Sequence, residues 1–234
     1  MLKIEGAKKH YKHRGQIVTA MDDMWLEIPK GDFVSLVGPS GSGKSTLLLS
    51  LGGMLSPTEG KVYLEGTSLY DLSPDARADV RRKKIGFVFQ TFNLIPYLTA
   101  LENVQIPLLL AGASDDEQKT KAVSLLERVG LADRLDHKPS ELSVGQQQRV
   151  ALARVLANNP SVILADEPTG NLDPETSQQI MTFLTEINEE GRTVVMVTHD
   201  PNAASRAKRT LRLEAGRIMN GRVPGLSGLP SPQP

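Results

Sequence analysis

The residue types and spacing most suited to chemistry lie at positions 38–46. This segment, the phosphate loop, reads Gly38, Pro39, Ser40, Gly41, Ser42, Gly43, Lys44, Ser45 and Thr46. Small residues between an apolar strand and a helix let successive backbone N–H groups converge on phosphate oxygens. Lys44 would add a positive charge at the β- and γ-phosphates, and the Ser45 hydroxyl would ligate Mg²⁺. The loop therefore predicts a nucleoside triphosphate site with Mg²⁺; a flexible Gly/Ser turn is the alternative.

Two adjacent acids follow an apolar run at residues 162–165. A strand that ends in Asp166 and Glu167 would place both carboxylates at the carboxyl edge of a sheet, where α/β proteins bind ligands. Asp166 would hold Mg²⁺, directly or through water, and Glu167 could act as the general base for an attacking water. The alternative is a capping pair of acids at a strand end.

Residues 142–154 form a second segment that is suited to an anion. Ser143 can cap a helix whose first turn lacks bulky charge, and Gly145 allows close backbone approach. Together with Gln146, these residues make the segment closely resemble the signature segment of ABC ATPases. Val144 departs from the family, which usually has glycine there. Because valine resists positive φ, we expect that this position does not need that conformation.

The resemblance extends from residue 3 to about residue 218 and implies roles for four further residues. Tyr11 matches the aromatic residue that stacks on adenine, and Gln90 matches the glutamine that reaches Mg²⁺ and the water. Asp173 belongs to a loop that crosses the dimer interface, and His199 matches the histidine that contacts the γ-phosphate. An edge-strand tyrosine and a structural histidine are the alternatives for Tyr11 and His199.

The resemblance also implies partners. In ABC ATPases two copies sandwich two ATP molecules head to tail, so that the signature of one completes the phosphate site of the other. The apolar segment at residues 90–104 matches the region that docks an integral membrane permease subunit. The alternative is that its side chains form the core of a helical lobe. Residues 85–90 and 137–143 are similar to the bacterial lipoprotein-release, macrolide-export and cell-division ATPases.

The elements that position these residues follow from hydrophobic patterning. Four nearly continuous apolar runs, at residues 33–37, 85–89, 162–165 and 193–198, indicate parallel strands covered on both faces. Helical stretches at 44–52, 143–158 and 174–190 alternate with them, and residues 18–28 and 61–65 indicate antiparallel edge strands. We expect an α/β P-loop fold of the ABC type, with a mainly parallel core sheet, an antiparallel β edge subdomain and an inserted helical subdomain.

The same patterning sets the predicted domain limits. An ATPase domain covers residues 1–220, and its helical subdomain covers about 91–157, where residues 115–129 form an amphipathic helix. The last residues, 221–234, contain four prolines and three glycines, which indicates a flexible tail.

Composition argues against several classes of protein. The 27 basic and 27 acidic side chains balance, whereas a nucleic-acid binder usually carries a basic excess. The absence of cysteine excludes thiolate metal sites.

No signal peptide or membrane-spanning run is apparent. We expect a cytoplasmic protein, held at the inner face of the cell membrane by its membrane subunit. A nucleic-acid ATPase of ABC type and a small-molecule phosphoryl-transfer enzyme are alternatives; the latter leaves residues 142–146 unexplained.

Overall fold

The computed structural model describes residues 1–13 and 15–219, and the tail predicted at residues 221–234 lies outside that part. The strands are β1 (Leu2–His13), β2 (Gln16–Ile28), β3 (Phe33–Val37), β4 (Glu59–Leu64), β5 (Thr67–Ser68), β6 (Ile85–Val88), β7 (Val162–Asp166), β8 (Thr193–Val197), β9 (Arg209–Glu214) and β10 (Arg217–Ile218). The α-helices are α1 (Lys44–Leu51), α2 (Pro74–Lys84), α3 (Ala100–Leu110), α4 (Asp115–Arg128), α5 (Val144–Leu156), α6 (Pro174–Glu189) and α7 (Pro201–Ala204), with a 3₁₀ turn at Pro139–Glu141.

The strands form two sheets, and the predicted α/β fold is confirmed. The six-stranded sheet has the order β10-β9-β3-β8-β7-β6, and all of its pairs are parallel except β9 with β10. The four-stranded sheet has the order β2-β1-β4-β5 and is antiparallel. Because β3, β6, β7 and β8 run in the same direction, the segments that follow them emerge at one edge of the larger sheet. That edge carries most of the predicted site.

Successive side chains of the core strands alternate between the two faces of the sheet, which explains why these strands are continuously apolar. In β7, Val162 and Leu164 pack into the cluster that contains α1 and the antiparallel sheet, whereas Ile163 and Ala165 pack into the cluster that contains α5 and α6. Successive strand residues point to opposite faces, so a sheet covered on both sides needs apolar residues at every position. Helix α5 packs against the sheet through Leu152 and Leu156, which are in the second cluster.

A third apolar cluster joins α3, α4 and α5. It buries Val104, Leu108, Ala122, Leu126 and Val150, which agrees with the amphipathic repeat predicted for residues 115–129. Capping boxes start α3 at Thr99 and α4 at Ser114. In the described part of the chain, every helix is too short or too polar to cross a bilayer.

Candidate functional site

The phosphate loop is shaped by close backbone packing that only glycine permits. Gly43 precedes α1 with a φ of 101°, and a Cβ atom there would lie 2.0 Å from the carbonyl oxygen of Ala20. A Cβ atom on Gly38 would lie 2.1 Å from the carbonyl oxygen of Leu213. The two contacts come from β2 and β9, so both sheets take part in setting the shape of the loop. Substitution at either glycine would displace backbone.

The start of α1 is an open anion site. Within the described residues no side chain caps this helix, and its first turn carries no acid. The N–H groups at a helix start favour a negative ligand. Lys44 lies across the loop, where its Nζ donates to the carbonyl oxygens of Gly38 at 2.8 Å and Pro39 at 2.9 Å. Its charge is therefore held at the same place as the N–H groups.

Ser45 and Asp166 meet at the edge of this loop. The Ser45 hydroxyl donates to Asp166 Oδ1 at 3.4 Å, which joins the start of α1 to the end of β7. Burial raises the pKa of the Asp166 carboxyl, and the negative charge of Glu167 acts in the same direction, against the Ser45 hydrogen bond and the Lys44 charge. Ionised Asp166 is therefore under-compensated at this position, which favours a cation.

The oxygen donors at this position fit Mg²⁺. A hydroxyl and a carboxylate are hard ligands of the kind that Mg²⁺ takes alongside phosphate oxygens and water. Within the described residues no cluster of three or more His, Cys, Asp or Glu side chains could hold a metal by itself. The pair thus suits a metal that arrives with a triphosphate, rather than a metal that is held entirely by protein side chains.

Glu167 and His199 form a pair that their positions in the sequence did not predict. Glu167 Oε1 lies 2.9 Å from His199 Nδ1, and the His199 backbone N–H donates to Glu167 Oε2 at 3.3 Å. The carboxylate is mostly covered, whereas the imidazole is largely exposed. Glu167 has a φ of 48°, in the left-handed region, and its N–H donates to the carbonyl of Val197 at 2.9 Å. Such backbone conformations persist only where surrounding contacts hold them, often at functional sites.

Gln90 contacts the turn that follows Glu167. Its Nε2 donates to Asn171 Oδ1 at 3.3 Å, and Asn171 Nδ2 donates to the Gln90 carbonyl at 3.4 Å. A Cβ atom on Gly170 would lie 3.0 Å from Gln90 Nε2. The structure therefore brings Gln90 beside the turn at Glu167, where its side-chain hydrogen bond among the described residues goes to Asn171.

The signature segment forms a capped helix start. Ser143 Oγ accepts from the Gln146 N–H at 3.2 Å, and Gln146 Oε1 accepts from the Ser143 N–H at 2.9 Å. Val144 is the first residue of α5 and is absent from the residues with positive φ, so glycine is not required there. A Cβ atom on Gly145 would lie 2.6 Å from Thr176 Cγ2 in α6. Glycine is thus needed at position 145 because the Thr176 side chain of the same chain leaves no room for a Cβ atom.

Asp173 and Tyr11 lie apart from the residues described above. Asp173 caps α6 by accepting from the Thr176 N–H at 3.0 Å, and hydrogen bonds from Thr176 lower the pKa of its carboxyl. Tyr11 is on β1 opposite Val18, the residue is 39% exposed, and Lys9 Nζ lies 5.5 Å from the ring centroid. Within the described residues no hydrogen bond or ion pair joins Ser143, Asp173 or Tyr11 to the phosphate loop.

Two functional candidates escaped the sequence reasoning. Gln148 is fully buried and donates to the carbonyl of Pro168, next to Glu167. Asn103 is fully buried too and makes four hydrogen bonds with the backbone of residues 95–99. Polar residues within apolar stretches were the available signal, because buried amides are normally hydrogen-bonded to something specific.

Several known proteins are similar to this chain in sequence and in fold. The ABC transporter family matches residues 21–170. An uncharacterized ABC transporter ATP-binding protein of Methanocaldococcus jannaschii, MJ0796, is 50% identical over 223 residues, which cover 93% of this chain and 95% of that protein. A solved dimer of the MJ0796 cassette in a post-hydrolysis state with ADP and Pi has a TM-score of 0.88 at 48% identity, covering 94% of this chain and 97% of that one.

A second kind of relative is longer than this chain. The macrolide export ATP-binding/permease protein MacB of Syntrophobacter fumaroxidans is 47% identical over 221 residues, which cover 93% of this chain but 31% of that protein. The chain therefore spans about a third of the macrolide-export relative that it matches.

Proposed function

Because the chain belongs to the ABC transporter family and is an ATP-hydrolysing subunit of such a transporter, we propose that two copies bind two ATP molecules head to tail. The phosphate loop of one copy and the α5 start of the other would enclose each triphosphate. The observation that carries this proposal is that one chain presents two helix starts without an acid in their first turn, α1 and α5, and that among the described residues no hydrogen bond joins them. The dimeric state of the MJ0796 cassette with ADP and Pi supports the same arrangement.

The residues at the carboxyl edge of the parallel sheet would carry the chemistry. Lys44 and the N–H groups of α1 would bind the β- and γ-phosphates, and Ser45 with Asp166 would hold Mg²⁺. The metal, when bound, would neutralise charge on the β- and γ-phosphates. Gln90 would orient the attacking water from its place beside Asn171.

Glu167 would take the proton of the attacking water. Its carboxylate is held between the backbone N–H and the imidazole of His199. A protonated imidazole donates from both ring nitrogens, so His199 could hold Glu167 through Nδ1 and reach the γ-phosphate through Nε2. The exposed position of this imidazole suits contact with a ligand. Tyr11, on the exposed hairpin, would stack on adenine.

The membrane subunit would dock against residues 90–104. The side chains of this segment have two environments. Ala100 and Val104 are buried in the core of the helical lobe, whereas Tyr97 is 73% exposed. Asn103 fixes the loop that presents Tyr97, since its amide bonds the backbone of residues 95–99. Beside the loop lies a groove of about 600 Å³, lined by Asn93, Ile95 and Leu110 among others. A short amphipathic segment of a permease would fit such a groove.

The same proposal covers domain limits and location. Residues 1–220 would form the ATPase domain, with a helical subdomain at about 91–157, and the chain would act on the cytoplasmic side of a membrane. The MacB relatives, whose names combine ATP-binding and permease parts, support a permease as the partner. Export, lipoprotein release and mechanotransmission are the activities that this branch implies.

Mixing two inactive variants tests the composite site. Lys44→Ala removes the phosphate-loop charge, and Ser143→Ala removes the α5 hydroxyl, so each variant alone should lack turnover. A mixture contains heterodimers with one intact site, formed by Lys44 of one copy and Ser143 of the other. ATPase activity of the mixture should exceed that of either variant by at least about 10-fold. A chain with both substitutions is the control and should restore nothing; a mixture as inactive as this control refutes the proposal.

The permease partner needs a separate test. Glu167→Gln should slow turnover about 10²- to 10⁴-fold, the usual contribution of a general base, and hold ATP in the dimer. Tagged Glu167→Gln protein, purified from solubilised membranes with ATP, should bring down an integral membrane protein. Tyr97→Asp on the same background should reduce that recovery while leaving the ATP-bound dimer intact. Equal recovery with Tyr97→Asp would place the docking surface elsewhere.

A further inference from the structure

The signature helix carries a buried glutamine that the roles above do not use. Gln148 lies in α5 and has no exposed surface. Its Nε2 donates to the carbonyl oxygen of Pro168 at 2.7 Å. Pro168 directly follows Glu167 and is itself buried. The amide therefore joins α5 to the turn that carries the proposed general base.

That turn depends on its neighbours for its shape. Glu167 has a left-handed φ of 48°, which residues with a Cβ atom seldom adopt. Its N–H donates to Val197 in β8 at 2.9 Å, and its carbonyl accepts from the Gly170 N–H at 3.1 Å. These bonds tie the turn to the sheet and to itself. Helix α5 contacts this turn through the hydrogen bond from Gln148 to the Pro168 carbonyl.

Packing alone does not account for a glutamine at this position. Among the described residues, Gln148 Oε1 is buried without a hydrogen-bond partner. A buried amide with an unused acceptor is less favourable than an apolar side chain of similar size. The buried residues that follow it in α5, Val150, Ala151 and Leu152, are apolar. The hydrogen bond to Pro168 is thus what distinguishes Gln148 from them.

We propose that Gln148 is a positioning residue for Glu167. This inference rests on the composite-site proposal, in which the α5 start at Ser143 serves the ATP site shared with the partner, whereas Glu167 serves the phosphate loop of its own chain. The hydrogen bond between Gln148 and Pro168 then connects the two ATP sites of the dimer through each chain. A triphosphate that contacts Ser143 fixes α5, and α5 fixes the turn that orients Glu167.

A matched pair of substitutions separates positioning from loss of stability. Methionine resembles glutamine in length and volume but has no donor, so Gln148→Met removes the hydrogen bond and keeps the packing. Gln118 in α4 is the control, because it is also buried and also donates to a backbone carbonyl, that of Ala113 at 2.8 Å. Both variants should lose a similar amount of Tm.

The kinetic effects of the two variants should differ. In Gln148→Met we expect kcat to fall about 10- to 100-fold, the scale of a misplaced catalytic group, with KM for ATP changed by less than about 2-fold. In Gln118→Met both constants should change by less than about 2-fold. An unchanged kcat in Gln148→Met, or an equal loss in Gln118→Met, would overturn the proposal.

Heterodimers with one intact site locate the effect. The intact site takes Lys44 and Glu167 from the Ser143→Ala copy and Ser143 from the Lys44→Ala copy. Gln148→Met added to the Ser143→Ala copy should lower turnover as in the homodimer, because that copy supplies Glu167. Added to the Lys44→Ala copy, it should change turnover by less than about 2-fold. Loss only from the Lys44→Ala copy would show that Gln148 serves the signature helix instead, and would overturn the proposal.

The two proposals fail separately. If the Lys44→Ala and Ser143→Ala copies do not complement each other before Gln148 is changed, the composite site is refuted. The comparison of Gln148→Met with Gln118→Met in the otherwise unchanged protein still decides whether Gln148 positions Glu167 within a chain.

Discussion

The two helix starts that we propose to face phosphate are built in opposite ways. The α1 start has a left-handed Gly43 and, within the described residues, no side-chain cap. The α5 start is capped on both sides, since Ser143 and Gln146 bond each other's backbone. An uncapped start leaves its N–H groups for a ligand, whereas a capping box satisfies two of the N–H groups at the helix start internally. The first start is thus prepared for a ligand, and the second is stable before one arrives.

This difference indicates that the two helix starts have different roles. The α1 loop packs closely against the backbone of Ala20 and Leu213 of the same chain, so we expect one chain to suffice for binding the triphosphate. Ser143 accepts one hydrogen bond for its cap and can still donate its hydroxyl proton to a phosphate. The α5 start can therefore join a bound triphosphate without losing its cap. Substitutions at the two starts should then have contrasting effects.

The largest contrast is expected at Gly43. In Gly43→Ala the added Cβ meets the backbone oxygen of Ala20 at 2.0 Å, and alanine disfavours a φ of 101°. We expect ATP affinity to fall about 100-fold, measured by isothermal titration calorimetry, with circular dichroism to check the fold. Gly41 is the control: its φ is also positive, at 78°, but a Cβ there meets nothing within 4 Å. Equal losses in Gly41→Ala and Gly43→Ala would show that backbone packing does not hold the loop.

The next contrast concerns binding against turnover. Ser143→Ala should leave the ATP affinity of the isolated chain within about 2-fold of wild type and lower kcat about 100-fold, because its hydroxyl acts only in the dimer. Lys44→Ala should instead weaken ATP binding itself. Fluorescent-nucleotide titration at protein concentrations that keep the chain monomeric, followed by steady-state ATPase assays, measures both. A loss of monomer affinity in Ser143→Ala would mean that the two starts act within one chain.

A smaller effect should follow from Gly145→Ala. Its Cβ would lie 2.6 Å from Thr176 Cγ2, which is a side-chain contact and therefore easier to relieve than the backbone contact at Gly43. We expect kcat to fall about 10-fold. Adding Thr176→Ala should recover most of the loss, because it removes the obstructing methyl group and leaves the backbone N–H that Asp173 caps. If the double variant is no better than Gly145→Ala, close approach of a ligand is the reason for this glycine.

The smallest effects are on stability, and their signs should be opposite. Ser143→Ala removes an N-cap and should lower the free energy of unfolding by about 1 kcal/mol. Asp166→Asn should raise Tm at pH 7.5 without nucleotide, because burial raises the pKa of this carboxyl and ionised Asp166 therefore weakens the fold.

The Tm difference between Asp166→Asn and the wild type should depend on pH. A carboxyl whose pKa is higher in the folded than in the unfolded chain destabilises the fold as the pH rises above its unfolded value of about 3.9. The Tm advantage of Asp166→Asn should therefore shrink toward that pH. An advantage that grows as the pH falls would contradict the direction of the Asp166 shift.

Features that depend on local order were predicted from the residues themselves. The phosphate loop, the acids after β7, the Ser143 cap and the helical Val144 each involve neighbours within a few positions. The apolar strands were also predictable, although the fourth run ends at Val197 and not at residue 198. Strand β1 and helix α2 were not predicted. Helix α2 buries none of its residues, so it has no apolar repeat to recognise.

Contacts between distant segments were decided by the tertiary structure. The Glu167–His199 pair, the Gln148 bond to Pro168 and the approach of Gly145 to Thr176 all join different elements. No period or motif in the sequence encodes such a contact, because it depends on how strands and helices pack side by side. Sequence alone therefore determined which groups can hold a triphosphate. The packing of α5 and β8 against the turn after β7 determined how the carboxylate of Glu167, the proposed general base, is held, since that position is set by hydrogen bonds between elements far apart in the chain.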